Sequence, residues 1–233
     1  MKYYYDLHIH SALSPCADIL MTPNNITNMA SLKGLDYIAI TDHNSLKQLP
    51  VIHEICLSYN LILIYGVEVT VKEDFHVLCY FKTLEDAMRF DEELETYAIH
   101  ETYDSRVLGD QVITDIEDYT VKVLPFYLGR PLDLEFIMLI EILQKYNHLR
   151  FLAHIDRDMY SGLKYYEPGM MNGVECTKHV SKEFLKKYLS NEKHILYNSD
   201  AHQLTDILER ESNNVIDLDE KSIDAFFKAF QNG

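Results

Sequence analysis

The residues able to do chemistry sit in short polar clusters that interrupt apolar runs. Asp6-Leu7-His8-Ile9-His10-Ser11 sets two imidazoles two residues apart. On a strand that spacing points both to one side, where they can share a metal ion. Thr41-Asp42-His43-Asn44-Ser45 follows the apolar run Tyr37–Ile40, and Asn198-Ser199-Asp200-Ala201-His202 repeats the spacing of two. Glu68 lies inside the β-branched stretch Gly66-Val67-Glu68-Val69-Thr70. A carboxylate buried there without a partner is costly, and coordination of a cation removes that cost; a bulge at Gly66 that turns Glu68 to solvent is the alternative. His76 and His154 complete the set, the latter in Phe151-Leu152-Ala153-His154-Ile155-Asp156-Arg157. Each cluster alone has an ordinary structural explanation, such as an Asx turn at Asp42 or a hydrogen-bonded core histidine. Six clusters, each next to a strand candidate, are a poor fit to chance. His53, His100, His148, His179 and His194 lack that context and read as surface or structural, with a place near the site left open for His179.

Elements must hold these clusters at one place. Seven short β-type runs are legible: Tyr3–Ile9, Tyr37–Ile40, Leu61–Val69, Phe75–Phe81, Phe151–His154, Gly173–Cys176 and His194–Tyr197. Between most of them lie helix-type stretches, at Pro23–Leu32, Leu46–Tyr59, Leu84–Ile99, Leu132–Tyr146 and Ser181–Leu189. Thr22-Pro23 reads as a helix start and Gly34 as its stop. Alternating strands and helices predict a parallel α/β fold. The 233 residues suit a slightly short single-domain TIM-like barrel, whose active sites gather at the C-terminal strand ends. Between Glu101 and Gly129 the pattern weakens into an acidic stretch, read as an irregular insertion or lid-like segment within the 1–233 domain.

Composition bounds the partners. Lys+Arg 21 against Asp+Glu 37 give a net charge of −16, beside 11 His. That balance weighs against a broad basic face for long nucleic acid and against a polybasic membrane surface. It leaves room for an anionic substrate at a local site. Cys16, Cys56, Cys79 and Cys176 form no CxxC pair, which fits free thiols in a reducing compartment. No basic-then-apolar leader and no apolar run near the ~20 residues of a membrane span are visible. A soluble cytoplasmic protein is the expectation, with oligomeric state unread.

In the order DLHIHS (6–11), TDHNS (41–45), GVE (66–68), His76, AHIDR (153–157) and NSDAH (198–202), the sequence resembles the polymerase-and-histidinol-phosphatase (PHP) family of metal-dependent phosphoesterases. The resemblance implies a distorted (β/α)7 barrel with two or three divalent metals, Zn, Fe or Mn. It assigns His8, His10, Glu68 and Asp200 to a first metal, with Glu68 bridging to a second held by His76 and His154. A third would take His43, His202 and a residue from the loop after His10. Asp18 is the choice there, as a hard oxygen ligand, with Cys16 the soft alternative. Asp42 is expected to orient a ligand histidine.

The implied activity is hydrolysis of a small phosphorylated molecule, such as a sugar phosphate, histidinol phosphate or nucleotide. A water between two divalent ions is acidified enough to attack phosphorus near neutral pH. Glu68, Asp200 and Arg157 are the candidate catalytic residues. Arg157, Arg130 and Lys178 are the candidate phosphate binders, Arg157 through a bidentate guanidinium or else tied in a salt bridge. Two other readings use the same ligands: an amidohydrolase-like attack on a C–N or C–O bond, and a metal-binding regulatory module without turnover.

Overall fold

The computed structural model describes residues 1–231. In chain order the elements are β1 (Lys2–Ile9), α1 (Pro23–Leu32), β2 (Tyr37–Ile40), α2 (Leu49–Cys56), β3 (Ile62–Thr70), β4 (His76–Phe81) and α3 (Leu84–Glu95). There follow α4 (Ser105–Leu108), β5 (Val112–Thr114), β6 (Thr120–Val123), α5 (Phe136–Leu143), β7 (His148–Leu152), β8 (Gly173–Thr177), α6 (Lys182–Tyr188), β9 (Ile195–Asn198), β10 (Val215–Asp217) and α7 (Ile223–Gln231). Local chemistry sets several boundaries. Pro23 opens α1, and Gly34 at φ 73° ends it. Pro50 sits in the first turn of α2, where its missing N–H is harmless. The Thr83 hydroxyl caps α3 by accepting from the Asp86 N–H.

Eight strands form one curled sheet in the order β10-β1-β2-β3-β4-β7-β8-β9. Past β9, Ala201 returns to make a parallel bridge with Ile9, its N–H donating to the His8 carbonyl. Two strands depart from the parallel arrangement the sequence predicts. β10 adds antiparallel to β1, and β4 runs antiparallel to both β3 and β7. The cause is chain length: only residues 71–75 join β3 to β4, enough for a turn and far too few for a parallel crossover. The reversal has a functional consequence. His76 begins β4, so the reversed direction brings it to the same end of the sheet as the C-terminal ends of β1, β2 and β3.

One face of the sheet packs on helices. Ile38, Ile40, Leu63, Val67, Val77, Cys79, Val174 and Cys176 lie there with α1, α2, α3 and α5 residues such as Ile26, Ile52, Phe90 and Leu139. The other face has two zones. Tyr5, Leu7, Tyr37, Ile64, Leu78, Tyr80, Leu149, Phe151 and Leu196 form an apolar zone closed by Phe226, Phe227 and Phe230 of α7. Alternation carries the same face onward to Glu68 on β3, His76 on β4 and Glu175 on β8. On β1 the parity changes, because Leu7 packs in the apolar zone while Ile9 packs on the helix side. The register of β1 against β2 shifts between Asp6 and Ile9, and this irregularity turns His8 and His10 inward.

The segment 101–129 is partly ordered into α4 and the β5–β6 hairpin, outside the main sheet. Buried Gln111 fixes it by donating to the Phe126 carbonyl and accepting from the Leu128 N–H. Leu124, Phe126 and Leu128 pack on Leu13, in the loop after β1. Among the described residues no helix is long and apolar enough to cross a membrane.

Candidate metal centre

Glu68 is 1% exposed, in a regularly paired strand opposite Leu78. The bulge alternative is thereby excluded. Gly66 serves a different purpose there: a Cβ on it would lie 2.7 Å from the Thr41 methyl. Five imidazoles converge on the Glu68 carboxylate. Oε1 lies 2.8 Å from His76 Nδ1, 3.1 Å from His154 Nε2 and 3.3 Å from His8 Nε2. Oε2 lies 3.0 Å from His43 Nδ1 and 3.4 Å from His10 Nε2. Asp200 Oδ1 closes the other side, 3.2 Å from His8 Nε2 and 3.0 Å from His10 Nε2. Three groups of donor atoms fall within 4.8 Å of one another: His8, His10, Glu68 and Asp200; His43, Glu68 and His76; His10, His43 and His202.

Surrounding groups fix which ring nitrogen faces the centre. The Glu175 carboxylate accepts from His8 Nδ1 at 2.9 Å, leaving Nε2 to face Asp200. Ser14 Oγ donates to Asp42 and so accepts from His10 Nδ1 at 2.9 Å and from the His43 N–H at 3.1 Å. Asp42 thus acts on a histidine as expected, through a hydroxyl. His202 Nδ1 donates to the Asp200 carbonyl at 2.8 Å. Asn44, His154 and Asp200 hold φ of 52°, 29° and 53°, uncommon for residues with a side chain and concentrated at this end of the sheet.

Charge balance tests whether cations fit. Burial works to raise Glu68, yet His76, His8 and His43 hold it well below the ordinary carboxylate range. Burial likewise opposes ionisation of Asp200, and His8 and His10 hold it well below. The reciprocal effect lifts His8, His10 and His43 against the burial that would lower them, whereas at His76 burial prevails and lowers it. Glu175, Glu68 and Asp200 hold His8 well above its usual value, while the carboxylates bring His10 and His43 to about 9. His202, half-buried and beside His10, is pushed down to about 4. Glu68 Oε2 and His43 Nδ1 approach within 3.0 Å without hydrogen-bond geometry, and each is a buried polar atom with no hydrogen-bond partner. Buried polar atoms left in that state suit a cation between them once the imidazole is neutral. The donor set of imidazoles and carboxylates fits divalent Zn, Fe or Mn.

The structure brings together eight of the nine expected ligands, His8, His10, His43, Glu68, His76, His154, Asp200 and His202. It does not bring Asp18. That side chain is exposed and accepts from the Leu20 N–H at 2.8 Å, while Cys16 Sγ lies 3.1 Å from His202 Nε2. A pocket of about 250 Å³ opens onto the centre, lined by Cys16, His43, His76, Tyr127, Arg157 and Tyr160 among others. Arg157 Nη1 donates to Asp200 Oδ2 at 2.6 Å, so the salt-bridge alternative and the pocket position hold together. Arg130 and Lys178 do not line the pocket. Arg130 pairs with Glu101, and Lys178 is exposed beyond the end of β8. Glu175 escaped the sequence reading. Its signal was present, an acid inside the buried run Val174-Glu175-Cys176, the same pattern that marks Glu68.

The PHP domain family model matches residues 6–233. The chain belongs to the PHP domain family. Among curated proteins, none matches it. Solved structures that share its fold include two endonucleases and a phosphoesterase. The lesion-specific endonuclease PfuEndoQ from Pyrococcus furiosus is 22% identical with a TM-score of 0.73, covering 100% of this chain and 57% of that one. An endonuclease Q in complex with a 27-mer duplex carrying an abasic lesion at the active site is 21% identical with a TM-score of 0.66, over 99% and 57%. A protein from Bifidobacterium adolescentis described as a metal-dependent phosphoesterase is 17% identical with a TM-score of 0.60, over 93% of each chain. The PHP domain thus spans 57% of the length of the endonucleases it matches. These matches overturn the expectation that long nucleic acid is no partner. The argument from −16 failed because net charge sums the whole surface, whereas a phosphate is met locally, and the fold also serves a protein seated on duplex DNA.

Proposed function

We propose that this PHP domain is a metal-dependent phosphoester hydrolase whose substrates include nucleic-acid phosphodiesters. The observation that carries the reading is the convergence of five imidazoles and Asp200 on the two oxygens of buried Glu68. Divalent ions held there would supply an activated water and positive charge opposite the phosphate. The chain's own residues perform the rest. Glu68 offers one oxygen to each side of the centre and so links its two halves. Glu175 and Ser14 hold His8 and His10 in the tautomers that present Nε2 inward. Arg157 steadies Asp200 at the pocket mouth and keeps further N–H donors for a phosphate oxygen. Tyr127 and Tyr160 flank the opening, with Tyr160 stacked on His76 at 4.8 Å.

A protein from Chromobacterium violaceum described as an amidohydrolase with bound sulfate shares the fold at 18% identity and a TM-score of 0.62, over 97% of this chain and 96% of that one. The competing chemistry, C–N bond cleavage, is therefore part of the test. Metal-loaded protein is offered phosphomonoesters, phosphodiesters, duplex oligonucleotides with and without an abasic site, and an amide and lactone panel. Phosphoester cleavage that requires metal is the expected result. Amide or lactone hydrolysis without any phosphoester cleavage would overturn the proposal.

A further inference from the structure

We propose that Cys16 supplies a thiolate ligand to the third cation position of this centre, alongside His202 and His43, making that position soft and selective for zinc. The inference rests on the metal-dependent reading above. It starts from how the loop after β1 is tied. The Ser14 N–H donates to Ser11, the Ala17 N–H donates to Ser14, and the Asp18 N–H donates to the His202 carbonyl at 2.9 Å. Those turns send the Asp18 carboxylate outward onto Leu20 and bring Cys16 Sγ to 3.1 Å from His202 Nε2. His202 Nδ1 is occupied by the Asp200 carbonyl, so the lone pair on Nε2 faces the sulfur.

Independent observations point to a ligand at this place. His10, His43 and His202 present donor atoms within 4.8 Å of one another. His43 is 9% exposed; its Nδ1 is turned to Glu68, and its ring lies 6.4 Å from that of His202, which stacks on His10 at 4.3 Å. Cys16 and His43 line the same pocket as His202. A sulfur added to imidazoles favours zinc over the hard-oxygen preference an aspartate would give. Cys56, Cys79 and Cys176 are buried, which leaves Cys16 the one exposed thiol among the described residues.

Cobalt(II) substitution reads the thiolate directly, through a sulfur-to-cobalt charge-transfer absorption that oxygen and nitrogen ligands do not produce. The wild-type protein is expected to show this band. Cys16→Ser is expected to lose it and to bind one ion fewer by elemental analysis, while Asp18→Asn keeps both band and ion. A fully loaded wild type without the band, or loss of an ion in Asp18→Asn but not in Cys16→Ser, overturns the assignment while leaving the metal-dependent reading intact. A wild type that binds no ion overturns both. A measurement on the unaltered chain covers misfolding of the variants: zinc should slow alkylation of Cys16 by iodoacetamide at least tenfold. Equal rates with and without zinc contradict the proposal.

Discussion

At the scale of single residues, the centre is a charge problem solved by geometry. Glu68, Asp200 and Glu175 are buried carboxylates, and His8, His10 and His43 are lifted beside them to balance the charge. In the ion-free protein His10 and His43 titrate near 9, above the ordinary histidine value of 6.5, so both are protonated at pH 7.5. An ion can bind only when those protons leave. Binding at pH 7.5 should therefore release protons, and apparent affinity should rise as pH climbs toward 9. Titrations in buffers of different ionisation enthalpy check both; affinity independent of pH between 7 and 9 would exclude this balance. Glu175→Gln should weaken metal binding about 10- to 100-fold with the fold intact, because His8 loses the acceptor that fixes its tautomer. Isothermal titration beside circular dichroism measures it. Residue chemistry was legible where a motif carried it, as with His8, His10 and Glu68. It was not legible where the decision was made by a turn. Nothing in Ser14-Pro15-Cys16-Ala17-Asp18 states that residue 16 faces His202 and residue 18 faces away.

At the scale of elements, the strands from β1 to β4 and from β7 to β9 were readable from apolar runs, whereas β5, β6, β10 and strand direction were not. The short link at residues 71–75 reverses β4 and so makes a strand-start residue, His76, a neighbour of strand-end residues. The change of parity in β1 was equally hidden, since the spacing of His8 and His10 is unaffected by it. α7 went unread, although its aromatic residues close the apolar zone beneath the centre. Phe226 is fully buried against Tyr37 and Phe230. Truncation, Phe226→Ala, should cost about 3–5 kcal/mol of stability. Denaturant unfolding tests this, and a loss below about 1 kcal/mol would show that α7 is not part of the cooperative core.

At the scale of the molecule, the curled sheet divides its inner face between an apolar zone that stabilises the fold and a polar zone that strains it. Burying so many ionisable groups together is tolerable when cations bind the native state and not the unfolded one. Divalent ion should accordingly raise the melting temperature in a concentration-dependent manner, and chelator should lower it. An unchanged melting temperature would argue against a metal site coupled to folding. The net charge of −16 belongs to this scale too and misled there, because it describes the outer surface and not the pocket. The central claim, that donors gathered on Glu68 hold ions that drive phosphoester hydrolysis, is tested most directly by one comparison. Metal content and phosphodiester cleavage are measured together for the wild type and Glu68→Gln. The account predicts bound divalent ions with metal-dependent cleavage in the wild type, and a variant with fewer ions and a rate at least about a hundredfold lower. Equal ion content and equal cleavage in the two proteins would contradict it.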